Sequence, residues 1–317
     1  MINILANDGI SQSGKDALDN AGFNISTITV AQEQLANHIQ SNDIAVLLVR
    51  SATTVRKDLI DRCPNLKIIG RGGVGMDNID VEYARSKGIN VINTPAASSS
   101  SVAELVFAHL YGGVRFLHES NRNMPLEGDS NFKKLKKAYA KGVELRGKTI
   151  GIVGFGRIGR ETAKIALGIG MKVLAFDKFL KEASITLNFS HEKSVEFNIK
   201  ISKFNYLLEN SDFISLHVPA QKEFIIDKKQ FELMKDGVGI INAARGGVLN
   251  EVELISALDS GKVSFAGLDT FENEPKPEIK LLMHPNISLT PHIGAATNEA
   301  QDRIGKELAD QISNILN

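Results

Sequence analysis

Cysteine is nearly absent: Cys63 is the only one in 317 residues. No intrachain disulfide can form, and a fold without bridges suits a reducing compartment, so a cytoplasmic location is expected. An excess of charge is absent too. Lys plus Arg total 37 and Asp plus Glu total 37, so no field of one sign draws the chain to nucleic acid or to an anionic membrane. No apolar run approaches the ~20 residues that a membrane-spanning helix needs. The segment Met1-Ile2-Asn3-Ile4-Leu5 has neither a basic leader nor a cleavage site, and it reads as a first strand rather than a signal peptide. Internal repeats and low-complexity tracts are also missing, which excludes solenoids and disordered linkers.

What remains is an ordinary globular composition, 43% hydrophobic and 23% charged. The length exceeds what one core usually serves, so about two domains are expected. Short runs rich in Val and Ile alternate with longer amphipathic stretches, the pattern of an α/β fold in which helices cross over between parallel strands. One series of expected strands comprises Ile2–Leu5, Asn24–Ile28, Ala45–Val49, Lys67–Gly70 and Asn90–Ile92. A second comprises Thr149–Val153, Lys172–Phe176, Phe213–Val218, Val238–Asn242, Phe265–Leu268 and Ile287–Thr290. The runs barely alternate in polarity, as strands covered on both faces do.

Between the two series, Ser98–Ser101 offers helix N-caps, and Val102, Leu105, Val106 and Leu110 share one helical face. The stretch from Asn121 to Arg146 is polar, with Lys133, Lys134, Lys136, Lys137 and Lys141. It reads as a solvated helix or arm rather than an anion site. Near the end, Thr297 can cap a last helix with Ile304, Leu308, Ile312 and Ile315 as its apolar stripe. Nothing in that helix says what it packs against.

The strongest local motif is Gly154-Phe155-Gly156-Arg157-Ile158-Gly159, placed between an expected strand and an expected helix. Gly154 allows a tight turn, Gly156 lets a pyrophosphate approach the backbone, and Gly159 lets the helix pack close to the strand. The helix N-terminus then offers N–H groups and partial positive charge to phosphates. The next expected strand ends at Asp177, 18 positions after Gly159, near the ~20 expected for an acid that binds the adenosine ribose. A carboxylate there repels a 2′-phosphate, so NAD is the expected cofactor. The adjacent cation, Lys178, works against that preference.

Three polar segments follow later strands, where open α/β sheets place their ligands. They are Asn242–Gly247 with Arg245, Asp269–Pro275 with Glu272 and Glu274, and Pro291–Ala295 with His292. Alcohol oxidation requires removal of a hydroxyl proton, a task suited to histidine near neutral pH. A nearby carboxylate would orient the imidazole and stabilise its charged form. An arginine would hold a substrate carboxylate through paired hydrogen bonds. Asp269 ends a strand and could accept a hydrogen bond from the nicotinamide amide. His217 also ends a strand, without a polar motif around it, and is expected to pack beside the cofactor.

The order of these segments resembles the D-isomer-specific 2-hydroxyacid dehydrogenases over essentially the whole chain. Val49–Thr53, Gly70–Asp80, Asn93–Pro95 and Leu145–Thr149 narrow the resemblance to members acting on 3-phospho-D-glycerate. It implies two Rossmann-like domains with parallel sheets: a discontinuous substrate-binding domain of residues 1–94 and 293–317, and an NAD-binding domain of residues 95–292. It implies Arg245, Glu274 and His292 as the catalytic set. For the cofactor it implies Val74, Gly154, Gly156, Arg157, Ile158, Gly159, Asp177, His217, Val218, Pro219, Ala243, Ala244, Asp269, Gly294 and Ala295. The Gly72–Gly75 backbone, with Gly73, matches the loop that takes the substrate carboxylate. Arg50 and Arg71, each just beyond an expected strand, would serve a phosphate. No metal is expected. The Lys-rich arm lies where such enzymes exchange dimer contacts, so a homodimer is expected. The chain stops after the last helix, without the regulatory domains of longer members, so feedback through them is not expected. Two alternatives stay open: the same chemistry on glyoxylate, hydroxypyruvate or D-lactate, and a non-catalytic NAD-sensing corepressor.

Overall fold

The structure is a computed structural model and describes residues 1–190 and 192–316. The chain begins β1 (Asn3–Ala6), α1 (Gln12–Asn20), β2 (Asn24–Ser26), α2 (Gln32–Ser41), β3 (Ile44–Val49) and α3 (Lys57–Arg62). It continues β4 (Ile68–Arg71), α4 (Val81–Ser86), β5 (Asn90–Asn93), α5 (Ser99–Val114), α6 (Leu117–Glu127) and α7 (Phe132–Ala138). Next come β6 (Thr149–Val153), α8 (Arg157–Gly168), β7 (Lys172–Phe176), β8 (Glu182–Asn188), β9 (Ser194–Lys200) and α9 (Phe204–Asn210). Then follow β10 (Phe213–Leu216), α10 (Lys228–Leu233), β11 (Val238–Asn242), α11 (Glu251–Asp259) and β12 (Val263–Leu268). The last elements are α12 (Ile279–Leu282), β13 (Ile287–Leu289) and α13 (Asn298–Leu316).

The chain divides into two compact units, residues 1–101 with 295–317, and residues 102–294. The expected divisions are 94/95 and 292/293, and the compact units divide at 101/102 and 294/295. The first lies inside α5. Caps mark where a helix starts, but no residue pattern marks where a continuous helix leaves one unit.

The first unit is built on a parallel sheet of order β2-β1-β3-β4-β5. Alternate residues feed two cores: Leu5, Leu47, Val49 and Ile69 on one face, and Ile4, Val46, Leu48 and Ile68 on the other. Burying each such side chain stabilises by ~1.5–3 kcal/mol. The partner that α13 needed is α1. A Cβ at Gly14 would sit 2.6 Å from the Gly305 Cα, so the two backbones touch where both helices carry glycine. Ser11 caps α1 by accepting the Gly14 N–H, and Thr297 accepts the Ala300 N–H at the start of α13. Ile304, Leu308 and Ile312 are buried, but Ile315 is 40% exposed. The last place in the stripe goes instead to Leu316, four positions after Ile312, which packs against the same core.

The second unit has a parallel sheet of order β13-β12-β11-β10-β6-β7. The chain winds from β6 outward to β7, then returns to place β10 on the other side of β6. That reversal is a topological switch point, where such sheets open a crevice at their strand C-termini. The expected strand series omitted the antiparallel hairpin β8–β9. Its alternation is regular: Ala183 and Ile185 face the core, with Ile199 packed beside them, while Glu182 and Ser184 are exposed. The arm forms α6 and α7, and Lys133, Lys134, Lys136, Lys137 and Lys141 are all exposed.

Candidate active site

The glycine loop crosses the switch point. Gly154 has φ +93°, and a Cβ there would lie 2.5 Å from the His217 carbonyl oxygen beyond β10. A Cβ at Gly159 would lie 2.2 Å from the Gly154 carbonyl oxygen, so helix and strand meet through glycine. Gly156 differs, because a Cβ there meets nothing within 4 Å. It is also the N-cap of α8 and supplies no capping side chain. Arg157 and Ile158 thus open the helix with N–H groups available to a ligand. Asp177 follows β7 directly and accepts the N–H of Phe155 and of Phe179, each at 2.9 Å. The first bond ties it to the glycine loop, and the second closes the turn that follows β7.

His217 has one polar partner close by in sequence and one from α8. Its Nε2 lies 2.8 Å from the Ser215 hydroxyl and 3.2 Å from the Thr162 hydroxyl of α8. Burial pushes the imidazole down to about 3, so it is neutral at working pH. Val218 packs its Cγ1 under Gly154, and Pro219 beyond it is exposed.

Arg245, Glu274 and His292 come together in the second unit. Asn242 holds the turn after β11 by donating to the Arg245 carbonyl at 2.8 Å and accepting the Ala244 N–H at 3.1 Å. Ala243 and Ala244 are buried beneath it. Gly246 has no room for a Cβ, which would lie 2.0 Å from the Phe271 carbonyl. That contact docks the Arg245 loop onto the loop after β12. A second tie is reciprocal: Glu272 accepts the Glu251 N–H, and Glu251 accepts the Glu272 N–H, both at 2.8 Å. Glu274 is thereby aimed elsewhere. Its Oε1 accepts the Phe271 N–H at 3.0 Å, and its Oε2 lies 2.8 Å from Nδ1 of His292.

Burial raises the Glu274 carboxyl. The bonds with His292 and Phe271, and the charges of His292 and Arg245, outweigh burial and hold it below the usual carboxylate range. It is therefore ionised across neutral pH. The pair borders an apolar hollow of about 400 Å³, also lined by Phe271, Pro275, Leu282 and Leu289. Another hollow, of about 310 Å³, lies by Asp212, Gly237 and Ser264, at the opposite ends of the strands and away from these groups.

His292 has φ +55°, in the left-handed region, which costs an ordinary residue ~1–2 kcal/mol. Asp269, 1% exposed, holds the turn there. It accepts the Thr290 hydroxyl at 2.7 Å and the Ile293 and Gly294 N–H groups at 2.8 Å each. Hydrogen bonds to a carboxylate contribute ~1.5–3 kcal/mol each, so the clamp outweighs the strain.

In the first unit, the register pairs Val49 with Arg71 across β3 and β4, which sets Arg50 and Arg71 at neighbouring strand ends. Asp8, beyond β1, accepts the Arg50 N–H at 2.6 Å, and Asn78 donates to the Arg50 carbonyl at 2.7 Å. Gly72 donates to the Val49 carbonyl. Gly73 has φ +147°, and Arg71 Nη1 lies 1.8 Å from where its Cβ would be. Only glycine admits the arginine at that point. Val74 and Gly75 continue the loop, with Val74 39% exposed. The Ala295 carbonyl, at the other end of this unit's sequence, accepts from Gln301.

Residues 107–294 match the model of the D-isomer specific 2-hydroxyacid dehydrogenase, NAD binding domain. The chain belongs to this family. It is 40% identical over 316 residues to a D-3-phosphoglycerate dehydrogenase of Archaeoglobus fulgidus, covering 98% of this chain and 57% of that protein. The chain thus spans little more than half the length of that relative. It is 45% identical over 275 residues to a hydroxypyruvate reductase of Thermotoga maritima, covering 85% of this chain and 84% of that protein. Among solved structures it is similar to a glyoxylate reductase from Paecilomyes thermophila, with a TM-score of 0.81 and 28% identity. That likeness covers 98% of this chain and 94% of the other.

The family's cofactor is NAD, and the residues present fit it. The open face of Gly156, the uncapped N-terminus of α8 and the carboxylate of Asp177 are the parts a dinucleotide needs. Among the described residues no cluster of His, Cys, Asp and Glu could hold a metal ion, and no helix is long and apolar enough to cross a membrane. Sequence reasoning missed the Glu251–Glu272 tie. Its only linear signal is an acid just after Asn250, which reads as an ordinary favourable charge in a first helical turn.

Proposed function

We propose that this chain oxidises 3-phospho-D-glycerate to 3-phosphohydroxypyruvate with NAD, the entry to serine synthesis. The observation that carries the reading is the 2.8 Å contact of His292 with Glu274, within reach of the Arg245 charge. His292 takes the hydroxyl proton of the substrate on its free ring nitrogen. Glu274 stabilises the imidazolium that results. Arg245 holds the substrate carboxylate and polarises the reacting oxygen. When bound, NAD supplies the hydride acceptor. The Gly72–Gly75 amides assist with the carboxylate, and Arg50 and Arg71 take the phosphate, whose geometry suits a guanidinium fork. Asp177, with Gly154, Gly156 and Gly159, secures the dinucleotide, and Val74, Val218, Pro219, Ala243, Ala244, Asp269, Gly294 and Ala295 flank it.

A second reading keeps this chemistry on an unphosphorylated acid. The 45% identity to a hydroxypyruvate reductase favours it. The test of both is reduced-nicotinamide absorbance across a panel of 2-hydroxy and 2-oxo acids. Turnover of phosphohydroxypyruvate above hydroxypyruvate, glyoxylate and pyruvate supports the first reading. The reverse order supports the second, and no turnover at all refutes both in favour of a binding role. The enzyme is further proposed to be a cytoplasmic homodimer that pairs through α5 and the α6–α7 arm. Tyr111, Leu117, Leu126 and Phe132 there are large hydrophobic side chains left exposed.

A further inference from the structure

Beyond its first turn, α5 buries a single polar side chain. His109 lies among Val102, Val106 and Leu110 and is 3% exposed. A Cβ on Gly267 would lie 2.6 Å from the His109 Cβ. Strand β12 therefore carries a glycine where the helix presses its histidine close. A ring in such a place needs partners for both nitrogens, and it has them. Nδ1 lies 2.9 Å from the Ser288 hydroxyl, and Nε2 lies 3.0 Å from the Thr290 hydroxyl.

Thr290 has a single hydroxyl hydrogen, and it goes to Asp269 Oδ1 at 2.7 Å. The Thr290 oxygen must then accept from His109, so Nε2 carries hydrogen. Burial holds the imidazole below its ordinary range, against the pull of the Asp269 charge and with the help of His118. The ring is thus neutral near pH 7, and Nδ1 accepts from Ser288. The relay runs Ser288 to His109 to Thr290 to Asp269. Asp269 is also the acceptor of the Ile293 and Gly294 N–H groups, which follow His292 and close its left-handed turn.

We propose that His109 is a positioning residue for His292. It fixes the Thr290 hydroxyl, which fixes the Asp269 carboxylate, which holds the turn that presents the imidazole to Glu274. The inference rests on the reading of His292 as the acid–base group. A bland alternative is that His109 merely fills the core, in which case a phenyl ring would replace it without consequence.

Three variants decide between them: His109→Phe keeps the volume, Thr290→Val keeps the shape without the hydroxyl, and His109→Gln keeps a donor. Hydrogen exchange at the Ile293 and Gly294 amides is read without cofactor. Exchange should speed up by roughly fivefold in the Phe and Val variants, the worth of one ordinary hydrogen bond. It should return towards the starting value in the Gln variant, and amides of β12 should stay unchanged throughout. In turnover, kcat should fall several-fold in the Phe and Val variants with KM for the oxo acid nearly constant, and His109→Gln should restore it. Unaltered exchange and kcat in the Phe variant would overturn the proposal. So would faster exchange spread evenly over β12, which is general loosening. If the unaltered protein turned over no oxo acid, the functional reading would fall, and the exchange result would still decide whether the relay holds the turn.

Discussion

Oε2 of Glu274 meets Nδ1 of His292 at 2.8 Å while Oε1 of the same carboxylate accepts the Phe271 N–H at 3.0 Å. Both oxygens are engaged, so the carboxylate cannot swing away and the imidazole has one orientation. In the proposed reaction the other ring nitrogen takes the substrate's proton. Replacing His292 with Ala should lower turnover by roughly 10²–10⁴-fold, the usual worth of an acid–base group. Near-normal turnover at neutral pH would remove His292 from the mechanism.

Glu274→Gln keeps the shape and removes the charge. Against the pull of burial, the bonds with His292 and Phe271 hold the Glu274 carboxyl below the usual carboxylate range. Turnover of the unaltered protein should therefore fall only at acid pH, as Glu274 takes up a proton, and that acid limb should vanish in the variant. A profile that stays in place while only kcat drops would mean that Glu274 orients the ring without acting on its charge.

Asp177 is held by the Phe155 and Phe179 N–H groups, and its negative charge opposes a 2′-phosphate. The ratio of kcat/KM for NAD over NADP should exceed one, and Asp177→Ala should narrow it, with Lys178 left to favour the phosphate. A preference of the unaltered protein for NADP would contradict this.

Arg50 and Arg71 end adjacent strands. Losing one charge-assisted contact costs ~1.5–3 kcal/mol, or about ten- to a hundredfold in kcat/KM. Arg50→Ala and Arg71→Ala should show that loss on phosphohydroxypyruvate and little of it on hydroxypyruvate. Equal losses on both substrates would assign them to the carboxylate or to the loop itself.

Burial pushes Glu251 up to about 7, helped by the carboxylates of Glu272, Glu278 and Glu274 and opposed by the Glu272 N–H. The folded chain therefore keeps a proton that the unfolded chain, with an ordinary value near 4.5, has already lost. Stability falls as pH rises between those values, because there the unfolded state binds fewer protons. Denaturant midpoints measured from pH 4.5 to 7.5 should show this fall, and Glu251→Gln should flatten it. An unchanged slope in the variant would place the titration elsewhere.

Leu126 is 80% exposed and Phe132 is 56% exposed, on an arm whose lysines are all solvated. Light scattering at working concentration should give twice the chain mass, and Leu126→Glu with Phe132→Glu should shift it towards one. A stable monomer in the unaltered protein would refute the assembly.

The parts of this protein legible in its sequence are those whose chemistry is local. A turn with positive φ at Gly154 and an open approach at Gly156 are carried by residues two positions apart, and the acid at Asp177 lies one helix and one strand further on, so the pattern of a dinucleotide loop could be read directly. The Val- and Ile-rich runs announced every strand of the two parallel sheets, because strands covered on both faces have no polar side to conceal them. The hairpin β8–β9 was equally readable in its alternation at Ala183, Ile185, Phe197 and Ile199, but a fold of parallel strands and helices gave no reason to look for one. Tertiary structure decided what depends on residues distant in the chain. Glu272 and Glu274 are near-identical loop acids in sequence. Glu251, 21 positions away, occupies the first and leaves the second to face His292. His109 looks like an error in an apolar helix until α5 packs on Gly267 and brings it to Thr290, 181 positions on. Hydrogen-bond partners of a buried group are chosen by packing, and packing is set by the whole chain.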